Sequence, residues 1–284
     1  MGGSSNRNNL LWRTLSGVLF VPALVVIARE GGFFFLLLVE LGIAIGTFEF
    51  YEILTAKGLH PYRFLGILAA LVLGWTAYYA SYLYTFLTLT VLIFILAVSE
   101  LIRRHPKDSI YHIASTVFGT FYIGWLMSHL ILLRELPKYL GLDYSVGVTF
   151  ALLPFIIAWG NDTMAFFIGR KFGRHPLLHR VSPGKTWEGT IGGILFATLF
   201  TVIYRYLYAT YLRPIDAVLM GLIGASMALI GDLVESLIKR DAYLKESYGT
   251  IPGHGGVLDR FDSIFFCAPF VYYYLRLLFE VLLR

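Results

Sequence analysis

A hydrocarbon layer about 30 Å thick is crossed by a helix of roughly 20 mostly apolar residues, and this chain is built of little else. Nine runs of that kind lie near residues 11–28, 33–54, 62–81, 83–102, 110–133, 146–169, 188–209, 214–234 and 261–283. Only Ser81 and Tyr82 separate the third run from the fourth, so both can shift along the sequence. Soluble domains do not have this composition: 57% of the 284 residues are hydrophobic and 14% are charged, with a mean hydropathy of +0.70. The predicted fold class is all-α, a polytopic integral membrane protein with about nine transmembrane helices. The first run carries no small-residue cleavage site, so it reads as a span rather than a signal peptide.

Lysine and arginine set the expected orientation. With nine spans, the N-terminus shares a side with the loops after the second, fourth, sixth and eighth, and that side carries 16 of the 23 basic residues. The N-terminus and those loops are therefore expected in the cytoplasm and the C-terminus outside. The net charge of +5 suits a cytoplasmic face beside anionic lipid headgroups and calls for no nucleic acid. Cys267 is the sole cysteine and lies in the last apolar run, which excludes internal disulfides and cysteine-rich zinc sites.

Two loops on the expected cytoplasmic side interrupt this pattern. The first belongs to WGNDTMAFFIGRKFGRHPLLHRVSPGKTWEG, residues 159–189, where Asp162 sits in an apolar helix. An ionised carboxylate there costs roughly 2.5 to 3.5 kcal/mol on insertion scales, so such residues usually face a polar site. SPGKT ends like a phosphate-binding P-loop, but His179 stands where that motif requires glycine. The second begins in GDLVESLIKRD, where Asp232, Glu235 or Ser236, and Lys239 share one helical stripe. A glycine-rich turn, Gly253, His254, Gly255 and Gly256, then leads to Asp259 and Asp262, again on one helical face.

Mg²⁺ takes oxygen ligands, commonly one or two carboxylates plus substrate phosphates. Asp232, Asp259 and Asp262 can supply that set if the loop folds their helices together. The glycine turn lets backbone amides approach phosphate oxygens, and Lys239, Arg240, Lys245 and Arg260 neutralise the remaining charge. These are the parts that phosphoryl or nucleotidyl transfer requires. Each is common alone, as a solvated helix end or a tight turn, and their density makes the pattern informative.

Together the residues resemble the CDP-diacylglycerol synthase, or phosphatidate cytidylyltransferase, family. Its long C-terminal signature is matched by Ser236, Ile238, Lys239, Arg240, Lys245, Ile251, Pro252, His254, Gly255, Gly256, Val257, Asp259, Arg260, Phe261 and Asp262, with the spacing kept. Glu246 replaces the usual aspartate, and Tyr248 stands where a small residue is usual. The earlier region is similar too, through Asp162, Thr163, Gly169, Arg170, Ser182, Pro183, Lys185, Thr186, Glu188 and Gly189. The first 145 residues resemble the family only in hydropathy.

The resemblance implies transfer of the cytidylyl group of CTP to phosphatidate, giving CDP-diacylglycerol and pyrophosphate for phospholipid synthesis. It implies Mg²⁺, with room for a second cation. The implied catalytic residues are Asp232, Lys239, Asp259 and Asp262, with Asp232, Asp259 and Asp262 on the metal. The implied substrate-binding residues are Asp162, Arg170, Ser182, Lys185, Thr186, Ser236, Arg240, Lys245, His254, Gly255, Gly256 and Arg260. Residues 1–284 read as one membrane domain: 1–145 as scaffold helices that leave room for a homodimer interface, and 146–284 as catalytic helices and loops. Expected partners are CTP, phosphatidate and membrane lipids, in a plasma membrane, the inner one in a bacterium. Two alternatives stay open: a CTP-dependent transferase acting on another lipid phosphate or a polyprenol, and a cation- or proton-coupled transporter using Asp162 and Asp232. Paired broken helices in related halves would mark the transporter, and the sequence has none.

Overall fold

A computed structural model describes residues 20–104, 107–245, 247 and 256–282. Helical residues 20–30 (α1) turn at Gly31, whose φ of 62° is open to glycine, into α2 (Gly32–Ala56). There follow α3 (Arg63–Tyr78), α4 (Tyr82–Ile102), α5 (Ser109–Gly119), a π-helical segment (Thr120–Trp125), α6 (Leu126–Leu140) and α7 (Val146–Phe172). A hairpin of β1 (Pro176–Leu178) and β2 (Ser182–Thr186) leads to α8 (Trp187–Tyr208), α9 (Pro214–Asp241) and α10 (Leu258–Leu282).

Among the described residues seven helices are long and apolar enough to cross a membrane, counting Ser109–Leu140 as one. Arg63–Tyr78 is apolar but shorter, and the first expected span is described only from residue 20. Large apolar side chains such as Phe64, Leu83, Phe86 and Phe94 point outward. Lipid, not water, is the solvent that accepts such a surface. The chain is an integral membrane protein of helices, and the two-stranded hairpin is its one described addition to the all-α expectation.

The described chain forms two compact units interleaved in sequence: Met1–Trp125 with Ala242–Arg260, and Leu126–Asp241 with Phe261–Arg284. In the first, Tyr51 is fully buried. Its hydroxyl donates to the Thr116 carbonyl at 2.7 Å and pairs with Thr120 Oγ1 at 3.2 Å, where the π-helical segment begins. A side chain bonded into the backbone ladder is a recognised source of such irregularity. Gly66 and Gly119 make room for that ring, since a Cβ at either would lie 1.9 and 2.3 Å from Tyr51 atoms.

In the second unit, small residues bring helices into close contact. A Cβ on Gly189 would meet the Ala165 carbonyl at 2.7 Å, and one on Gly193 would meet the Asn161 carbonyl at 2.8 Å, so α8 lies directly on α7. Gly221 does the same for α9 against Thr198, and Gly231 against the Asp262 carbonyl of α10. The polar residues at the ends of α7, α9 and α10 are brought together by this packing.

Candidate functional site

Asp162, Ala165, Phe166, Gly169 and Arg170 follow one stripe of α7 and line a pocket of about 390 Å³, a volume in the usual range for small-molecule sites. Asn161 of α7, Gly184, Lys185 and Thr186 of β2, Gly189 and Thr190 of α8, and Leu229 and Asp232 of α9 complete its described wall. The hairpin aims Lys185 inward. Its strands pair antiparallel, Pro176 with Thr186 and Leu178 with Ser182, and the base is fastened by Glu188. One oxygen of Glu188 accepts from the Arg174 and His175 amides at 3.1 and 3.3 Å, and the other contacts His175 Nδ1 at 2.5 Å. On the far side Arg240 Nε donates to the Val181 carbonyl at 3.4 Å.

The pocket holds charge of both signs. Lys185 Nζ donates to Asp232 Oδ2, while Ser236 Oγ donates to Asp232 Oδ1 at 3.3 Å. Asp162 accepts from Ser263 Oγ at 2.9 Å and from Asn161 Nδ2 at 3.3 Å. Asp262 lies within electrostatic reach of Glu235, Asp232 and Asp162, and one of its oxygens accepts from the Ser263 amide at 2.6 Å. Facing these acids are Lys185, Arg170 and the N-terminus of α8. There the Thr186 hydroxyl accepts from the Gly189 amide at 3.2 Å, and the first-turn amides carry the positive end of a 22-residue helix.

The expected site residues thus separate into groups. Asp162, Arg170, Lys185, Thr186 and Asp232 line one pocket, and Ser236 and Asp262 stand behind it as Asp232's hydrogen-bond partner and electrostatic neighbour. Lys239 pairs with the buried Glu235 at 2.9 Å, Arg240 braces the hairpin, and Ser182 is held in the strand pairing. Lys245 and Arg260 are exposed. Asp259 belongs to the other unit, where its Oδ2 accepts from the Ser247 amide at 3.2 Å and hydroxyl at 2.8 Å. Gly256 packs beside Ser247 and Glu49. His254 and Gly255 lie outside the described residues. Among the described residues no three Asp, Glu, His or Cys side chains are grouped as ligands for one ion. Sequence reasoning passed over Asn161, Ser263 and Glu49. Only Glu49 carried a usable signal, as an ionisable residue in an apolar helix.

The description "Cytidylyltransferase family" fits a family model that matches residues 11–278. Phosphatidate cytidylyltransferase of Synechocystis sp. is 31% identical, the alignment covering 95% of this chain and 98% of that protein. The enzyme of the same name from Bacillus subtilis is 30% identical, with 93% and 97% covered. The chain belongs to the cytidylyltransferase family. Chloroplastic phosphatidate cytidylyltransferase 5 of Arabidopsis thaliana is 32% identical over 88% of this chain and 68% of its own length. The family match reaches through α2 to α6, the part that resembled it by hydropathy alone, and in this cytidylyltransferase the pocket of α7, α8 and α9 sets Asp162 and Asp232 opposite Lys185 and Arg170.

Proposed function

We propose that this membrane protein transfers the cytidylyl group of CTP to phosphatidate. An oxygen of the lipid phosphate forms a bond to the α-phosphorus of CTP, the bond from that phosphorus to the bridging oxygen breaks, and pyrophosphate leaves with the electron pair. No protein nucleophile is needed, so the residues contribute position and charge. The observation that carries the reading is the single pocket in which Asp162 and Asp232 face Lys185, Arg170 and the start of α8. A triphosphate with its cation is complementary to both halves of such a surface. Lys185, Arg170 and the α8 amides would take phosphate oxygens, and Lys239 and Arg240 would add positive charge along α9.

The acids fit Mg²⁺ by donor chemistry. All are hard oxygens, and their mutual repulsion beside hydrocarbon is relieved by a cation. Asp232 and Asp262 are the protein ligands we favour, phosphate oxygens completing the shell as Mg²⁺ commonly requires. Asp259 lies three residues before Asp262 in α10 and is held by Ser247 in the other unit. When bound, the ion supplies charge neutralisation on the phosphates. Purified protein incubated with CTP, phosphatidate and Mg²⁺ is expected to yield CDP-diacylglycerol and pyrophosphate in equal amounts. Product from a polyprenyl phosphate and none from phosphatidate would transfer the reading to another lipid acceptor.

The pocket is assigned to the cytoplasmic side, where CTP is found, on the distribution of basic residues. Cys267 is buried, so a single exposed cysteine at Arg180→Cys, in the hairpin turn, reports the side without background. A membrane-impermeant thiol reagent should label it in inverted vesicles and not in intact cells. Labelling from outside would overturn the orientation.

A further inference from the structure

Glu49 lies in α2, far from every residue of the pocket in sequence, and its side chain is fully buried. Its two carboxylate oxygens are shared out: Oε1 accepts from the Val257 amide at 3.1 Å and Oε2 from the Leu258 amide at 2.8 Å. Those amides open α10. The first N–H groups of a helix have no partner within it, and a carboxylate there gains two charge-assisted bonds and the favourable end of the helix dipole. Around this contact the segment is fitted closely. A Cβ on Gly256 would lie 1.9 Å from Ser247 Oγ and 2.6 Å from Glu49 Oε2. Ser247 in turn gives both its amide and its hydroxyl to Asp259, one residue beyond Leu258. A second tie lies at the end of the same helix, where Lys57 Nζ sits 5.5 Å from the Tyr243 ring centroid.

We infer that Glu49 is a positioning residue for the reaction: it fixes the start of α10, and with it the Ser247–Asp259 arrangement, without touching substrate. The inference rests on the proposed reaction for its activity readout. It is also specific about the atoms, because a carboxylate is the acidic side chain that can accept from two converging N–H groups at once. Glutamine at this position keeps one acceptor and turns an NH₂ group toward the second N–H.

The test compares full-length Glu49→Gln, Gly256→Ala and Glu40→Gln with the parent protein in one detergent. Glu40 is a buried carboxylate on the same helix, set against Gly74, and serves as the control. In Glu49→Gln, amide hydrogen exchange at Val257 and Leu258 should quicken by about tenfold or more while exchange in α7 and α9 stays unchanged. Turnover should fall roughly 10- to 100-fold, the scale of a misplaced reacting geometry, with the KM for CTP within about threefold of the parent. Gly256→Ala crowds Ser247 Oγ and Glu49 Oε2 at this contact and should show the same pair of changes. Glu40→Gln should show neither. Parent-like turnover in Glu49→Gln, lost turnover with unchanged exchange at the two amides, or an equal loss in Glu40→Gln would each overturn the inference. Should Glu49→Gln fail to fold, Gly256→Ala decides by the same criteria. A parent protein inactive on CTP and phosphatidate refutes the proposed reaction, whereas the exchange measurement still reports on the anchor.

Discussion

Asp262→Asn is expected to give a protein that folds, inserts, melts no lower than its parent and turns over roughly 10²- to 10³-fold more slowly, the loss typical of removing one preorganised charge partner. Folding is spared because asparagine has the same shape and keeps an oxygen for the Ser263 amide, 2.6 Å away. Stability should hold or rise because the charge that disappears stood in the field of Glu235, Asp232 and Asp162, so one source of like-charge repulsion goes with it. Loss of function at unchanged or improved stability is the mark of residues retained for chemistry at a structural cost. A higher Mg²⁺ concentration for half-maximal residual activity would place the lost oxygen at the cation. Full turnover in the Asp262→Asn protein would make the acidic cluster a structural feature and remove the metal reading with it.

The helices were legible because apolar length is a one-dimensional signal. Expected spans 146–169, 188–209 and 214–234 became Val146–Phe172, Trp187–Tyr208 and Pro214–Asp241. Hydropathy stops at the first polar residues, whereas the helix does not: α9 continues because Lys239 pairs with Glu235 at i,i+4. The same blindness shortened the fifth span. Ser109–Leu140 runs on through Arg134, which is buried with its guanidinium 4.0 Å from the Tyr144 ring centroid. In the other direction, α3 ends early because Ala80 adopts a positive φ of 45° and Ser81 caps α4 through the Tyr84 amide.

The site was legible as composition and motif but not as an arrangement. Asp162, Lys185 and Asp232 meet only through glycine-mediated packing of α7, α8 and α9, and no periodicity links residues so far apart. The hairpin escaped notice because β1 has three residues, too few to show alternation. The contact of Glu49 with the start of α10 was hidden for a different reason: the described residues between 242 and 260 belong with the N-terminal helices, although sequence order places them among the C-terminal ones. An ionisable residue inside an apolar run carries the same cost of burial at Glu49 as at Asp162.

Lys185→Met should lower kcat/KM by on the order of 10²- to 10³-fold, because its ammonium is expected to serve two partners in succession. Without substrate, Lys185 is tied to Asp232, both side chains being largely but not fully buried at 24% and 21% exposure. On the proposed reaction, Asp232 would hold the cation and Lys185 would then be free to pair with a phosphate oxygen of the substrate. Methionine preserves the length and the apolar stem and removes only the charge. The double variant Lys185→Met with Asp232→Asn separates this exchange from two independent roles. If the pair acts as a unit, the double variant should be about as slow as Asp232→Asn alone, as seen where catalytic groups depend on one another. Its melting temperature should exceed that of Lys185→Met, in which Asp232 is left without its cationic partner. Losses that multiply in the double variant would mean that Lys185 and Asp232 act separately, and parent-like kcat/KM in Lys185→Met would remove the lysine from the reaction.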